Sequence, residues 1–122
     1  MIEANKLSNS PLSIEEIELI QSTSLSSIER HHLRIIAHCL ECFRSMSNGK
    51  NYGPLPSYET RMQWCMDQPN VSNDPDFVAL LLEQFSEAAK YLEEISLLYN
   101  FSPLQLTLKD LINASLNSSN SD

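Results

Sequence analysis

Five side chains able to bind a metal or exchange a thiol crowd together at His31, His32, His38, Cys39 and Cys42. Imidazole and thiolate are the usual ligands of zinc, and Cys39-Leu-Glu-Cys42 also spells the CxxC of thiol exchange. On a helix, at about 100 degrees per residue, His32 and Cys39 fall in the middle of an apolar stripe. His31, His38 and Cys42 line its edge, with His38 and Cys42 one turn apart. A two-ligand edge site is within geometric reach. A structural zinc site needs two more ligands, and Cys65 is the only cysteine and no histidine remains outside the cluster. CxxC reactivity leans on a helix N-terminus to stabilise the thiolate, whereas this pair lies mid-helix. The competing reading takes the cysteines as small core residues, and it is preferred. No metal and no cofactor is therefore assigned. A metal- or thiol-based sensor built on His38, Cys42 and His31 stands as the alternative function.

Paired carboxylates offer a second kind of chemistry. Glu83 and Glu87, and Glu93 and Glu94, lie on the solvent side of a helix beside Lys90, where they read as a hydrated charged face. The inward-facing Glu and Glu-x-x-His pattern of carboxylate metal bundles is missing. Neither a nucleophile turn nor a glycine-rich phosphate loop occurs. The chain is read as non-enzymatic.

The elements that would hold these residues are helical. With two glycines in 122 residues there is little material for the tight turns of an all-β fold. The clearest element runs from Asp74 to Tyr99. Asp74 is placed as N-cap and Pro75 at the first helical position, where its missing N–H costs nothing. Phe77, Val78, Leu81, Leu82, Phe85, Ala88, Ala89, Leu92, Ile95 and Tyr99 recur at three-four spacing and mark the core face.

Upstream, Ser13-Ile-Glu-Glu16 is a capping box for a short helix to about Gln21, with Leu12 placed to staple onto Ile17. Ser26-Ser-Ile-Glu29 opens a second helix that Asn48-Gly49 stops near Ser47. Its expected core stripe is Ile28, His32, Ile35, Ile36, Cys39, Phe43 and Met46. Ser57 caps a short helix to about Asp67. At the far end Ser102-Pro103 restarts the chain, with Gln105 as capping-box partner and Phe101 stapling onto Leu106. That last helix is expected to carry Leu104, Leu108, Leu111 and Ile112 to about Leu116.

The expected fold is all-α, a compact bundle of about five helices, two long and three short, in a single domain over residues 13–116. The second and the long fourth helix form its central pair. Residues 1–12 are a flexible N-terminal segment and residues 117–122 a disordered polar tail, because neither holds enough apolar surface to offset the entropy of ordering.

Charge narrows the partners. The formal charge of −8 argues against tracking a nucleic-acid backbone, and no apolar run is long enough for a membrane span or shaped like a secretory signal. A cytoplasmic protein that binds neither nucleic acid nor membrane is expected. Arg30, Arg34, Arg44, Lys50 and Arg61 outweigh three carboxylates between residues 28 and 61, whereas residues 62–122 set Lys90 and Lys109 against nine. That asymmetry gives modest internal attraction, or else an acidic surface that steers a basic partner.

Two apolar features point the same way. On a helix from Ser57, Trp64 points away from Tyr58, Met62, Cys65 and Met66, which are expected to face the core, leaving the tryptophan as an interface anchor. Leu80, Tyr91 and Leu98 widen the apolar arc of the long helix to roughly half its circumference, more than one neighbour covers. Either several helices of the same chain surround that arc or part of it meets a second copy or another protein. The expected function is a protein-protein interaction module, an adaptor, assembly factor or regulator, with self-association through the long helix. Trp64, Leu80, Tyr91 and Leu98, with Arg30 and Arg34 from the basic stretch, are its candidate contact residues.

Overall fold

Side-chain caps punctuate the chain, and between them the helices follow. A computed structural model describes residues 13–120. Ser13 Oγ accepts from Glu16 N and Glu16 Oε1 accepts from Ser13 N, opening α1, Ile14–Gln21. The same reciprocal pair between Ser26 and Glu29 opens α2, Ser27–Met46. Two left-handed residues, Asn48 and Gly49 at φ 62 and 82, end it, and Gly49 N donates to the Arg44 carbonyl. Ser57 caps α3, Tyr58–Met66, and a single turn, α4, Pro69–Ser72, follows. Asp74 Oδ1 accepts from Phe77 N at 3.1 Å, and with Pro75 at the first position α5 runs Pro75–Tyr99. Asn100, left-handed at φ 60, closes it.

The end of the chain departs from expectation. Pro103–Gln105 makes only a 3₁₀ turn, and the chain then straightens before a separate helix, α6, Leu108–Asn120. Gln105 makes the capping-box bond expected of it, its Oε1 accepting from Ser102 N and Oγ, while Ser102 Oγ accepts from Gly53 N at 2.8 Å. The turn is tied to the loop after α2, where Gly53 also accepts from Leu104 N at a φ of 105 that favours glycine. The true start of α6 is Thr107, whose Oγ1 accepts from Asp110 N while Asp110 Oδ2 accepts from Thr107 N and Oγ1. Phe101, expected as a staple, stays exposed. The helix also continues past Leu116 to Asn120. The N-terminal segment with its Leu12 staple, and residues 121 and 122, lie outside the described residues.

The result is an all-helical single domain, six helices and one 3₁₀ turn without strands among the described residues. α2 packs against α1, α3, α5, α6 and the 3₁₀ turn, while α5 packs against α2, α3, α4 and that turn, so these two helices are the central pair. Between them lie the fully buried Phe43, Phe85, Leu33 and Leu92, each burial of this kind being worth about 1.5–3 kcal/mol. Phe85 takes Phe43 on one contact and Trp64 on another, with ring centroids 5.4 and 5.9 Å away.

Two expected faces turn out rotated. On α2 the buried residues are Leu33, Ile36, Ala37, Cys39, Leu40 and Phe43, while Ile28 and His32 are exposed. Because α1, α5 and α6 all cover this helix, its buried face extends toward Leu33, Ala37 and Leu40 and leaves the other edge in water. On α3, Cys65 is buried and Met62 and Trp64 pack on the core, but Tyr58 and Met66 are exposed. Phe77, counted with the core of the long helix, lies at its exposed margin.

Candidate protein-binding surface

α5 is longer than the neighbours that cover it, and its leftover face borders α2. A groove of about 490 Å³ opens between the two helices, walled by His32, Ile35 and Ile36 of α2 and by Gln84, Glu87, Ala88, Lys90, Tyr91 and Glu94 of α5. His32 meets the edge of Tyr91 with ring centroids 5.3 Å apart and planes at 75°, which closes one part of the wall. A second recess, of about 470 Å³, continues along α5 through Phe77, Leu80, Leu81 and Glu83, sharing Gln84 and Glu87 with the first. Together they form one furrow along the helix.

The expected contact residues divide at this furrow. Leu80 is 62% exposed and Leu98 71% exposed, so the other helices do not cover the whole apolar arc. Tyr91 is half-buried against His32. Trp64, by contrast, is half-buried and set edge-on against Phe85, with its ring in the core's aromatic chain. Arg30 spends Nη1 on the Leu25 carbonyl at 2.6 Å, pinning the connection between α1 and α2. Arg34 is half-buried on α2 and does not line the furrow. Periodicity places His32 and Ile35 in the core stripe, whereas both line the open wall.

The His/Cys cluster does not assemble. Among the described residues no three His, Cys, Asp or Glu side chains are placed to hold a metal ion, so His31, His38 and Cys42 stay apart from any such group. Burial pushes the Cys39 thiol up to about 12, with the neighbouring Cys42 adding to it. Cys42 is likewise pushed up to about 12 by burial, then by Glu41 and Cys65. Cys65 is raised by burial, and burial lowers His38 below its ordinary value. Protonated thiols are poor nucleophiles and poor ligands. The furrow takes His32 from the cluster and neither Cys39 nor Cys42, so it does not present a histidine and a cysteine together.

What the furrow offers instead is apolar area edged with charge. Glu83, Glu87 and Glu94 lie along it with Lys90 as the one cation from α5. No helix among the described residues is long and apolar enough to cross a membrane.

The family model of the NDH complex assembly factor CRR9 matches residues 12–121, and the chain belongs to that family. No curated protein and no solved structure matches it significantly.

Proposed function

We propose that the chain serves assembly of the NDH complex without catalysing a reaction, by holding a protein partner against the open face of α5. The observation that carries this reading is the family match over residues 12–121, which takes in every described helix. Support for the surface comes from Leu80 and Leu98, large apolar side chains left in water on a helix whose other face is packed into the core. Tyr91 between them supplies an aromatic ring of the kind that anchors interfaces. The raised pKa values of the buried Cys39 and half-buried Cys42 favour this reading over a thiol-based sensor.

The test is twofold. Cells lacking the chain are expected to accumulate less assembled NDH complex, and affinity-tagged chain is expected to recover NDH subunits or partial assemblies. Normal accumulation without the chain, together with no NDH subunit recovered, would overturn the proposal.

A further inference from the structure

We propose that the furrow along α5 seats an amphipathic helix of the partner protein, one that carries Lys or Arg beside an apolar stripe. This rests on the reading of the chain as an assembly factor and adds the chemistry of what it holds. From Phe77 to Glu94 the furrow is about 26 Å long, the span of a helix of about 17 residues. Leu80, Leu81 and Tyr91 on one side and Ile35 on the other provide apolar contacts at helical spacing, as a helix-in-groove site requires.

Charge selects among occupants. Glu83, Glu87 and Glu94 line the furrow against Lys90, and none of these four makes an ion pair within 4 Å among the described residues. Their field is free to act on an incoming chain. A second copy docking by the same face would bring two such acidic edges together, which is unfavourable. An acidic segment meets the same repulsion. A basic helix neutralises the carboxylates and gains approach rate as well as register.

The probe is a fluorescein-labelled peptide of about 20 residues, helical, with leucines on one face and lysines flanking them, beside a twin with glutamates for the lysines. The full chain is expected to bind the lysine peptide, more tightly at low salt, and the glutamate twin at least about tenfold more weakly. Leu80→Ser with Tyr91→Ser is expected to weaken binding about tenfold or more. Glu87→Gln with Glu94→Gln, which touches only exposed side chains, is expected to weaken it several-fold and flatten its salt dependence. Leu97→Ser serves as control, because Leu97 is 83% exposed but does not line the furrow. Amide shifts on binding are expected along Phe77–Glu94 and His32–Ile36.

Equal binding of both peptides, an equal loss in the Leu97→Ser chain, or shifts confined elsewhere would each overturn the proposal. So would a dimer in sedimentation that Leu80→Ser dissolves, since the second copy would then be the occupant. The assembly reading fails separately. If the wild-type chain recovers no NDH subunit, that reading falls whatever the peptide does. If wild type and the Leu80, Tyr91 double variant recover the same subunits equally, the furrow is wrong and the reading stands.

Discussion

Arg44 on α2 donates from both Nε, at 3.1 Å, and Nη2, at 2.9 Å, to the single carbonyl oxygen of Leu104, sixty residues along the chain. Nη2 also donates to the Leu106 carbonyl, and Nη1 pairs with Glu41 Oε2 at 2.7 Å. Leu104 and Leu106 are buried, and they flank the break between the 3₁₀ turn and α6, where the helical ladder is interrupted. One guanidinium supplies the missing donors. It thereby fastens the returning chain to the helix that carries one wall of the furrow.

Replacing Arg44 tests that role. Arg44→Met is expected to cost about 2–4 kcal/mol, since the lost bonds are charge-assisted and leave buried acceptors unpaired. Arg44→Lys recovers only part of this, because a point ammonium does not span two carbonyls as a planar fork does. Glu41→Gln is expected to change stability by less than about 1 kcal/mol, as the pair is a partly exposed i,i+3 contact. Urea unfolding of the three variants measures all of this. A loss below about 1 kcal/mol in Arg44→Met would show that water satisfies both carbonyls.

Trp64 gives a second prediction. Its edge-on contact with Phe85, itself in contact with Phe43, makes it part of the aromatic chain joining α2, α3 and α5. Trp64→Ala is expected to destabilise the fold by about 2–4 kcal/mol, somewhat less than a fully buried tryptophan would cost. Calorimetric unfolding reads it directly. A loss below about 0.5 kcal/mol would return Trp64 to the surface as a free anchor.

Caps and stops were legible because each is a local bargain between one side chain and the nearest backbone groups. Ser13 with Glu16, Ser26 with Glu29, Asp74 with Pro75, and Asn48-Gly49 all act where their spacing places them. Thr107-Leu-Lys-Asp110 carries the same pattern and marks the real start of α6, but Ser102-Pro103 offered an earlier start that Gly53 diverts. Faces were harder. Periodicity names the residues that share a side, but not which neighbour arrives there, so it places Ile28, His32, Tyr58 and Met66 in the core although all four are exposed. The width of the arc at Leu80 and Leu98 is legible, but width alone leaves open whether several helices cover it, and only the packing leaves both residues in water. Its opposite wall, and the reach of Arg44 across sixty residues, depend on packing that no short window contains.

Thiol reactivity checks the burial of the cluster. From an ordinary value of 9.0, Cys39 and Cys42 are pushed up to about 12, so at about pH 8 their thiolate fraction falls about a thousandfold. Reaction with a disulfide reagent is expected to be correspondingly slow in the folded chain and rapid in urea. The same raised values mean that the fold gains stability from its protonated thiols below 9.0 and loses it as pH rises toward about 12. Fast native-state labelling of Cys42 would contradict the burial on which this rests.

His38 carries the opposite sign. Burial lowers its pKa below 6.5, so in that range the folded chain holds fewer protons at this site than the unfolded chain. The stability that goes with a neutral imidazole is complete above 6.5 and is lost as pH falls through that value toward the folded one. In His38→Gln this contribution is absent, while the capping carboxylates of Glu16, Glu29, Asp74 and Asp110 remain in both proteins and cancel in the comparison. The unfolding free energy of wild type relative to His38→Gln is therefore expected to hold steady near about pH 8 and to decline toward about pH 5.5. A difference that stays constant across that span would show that water reaches His38 in the folded chain as freely as in the unfolded one.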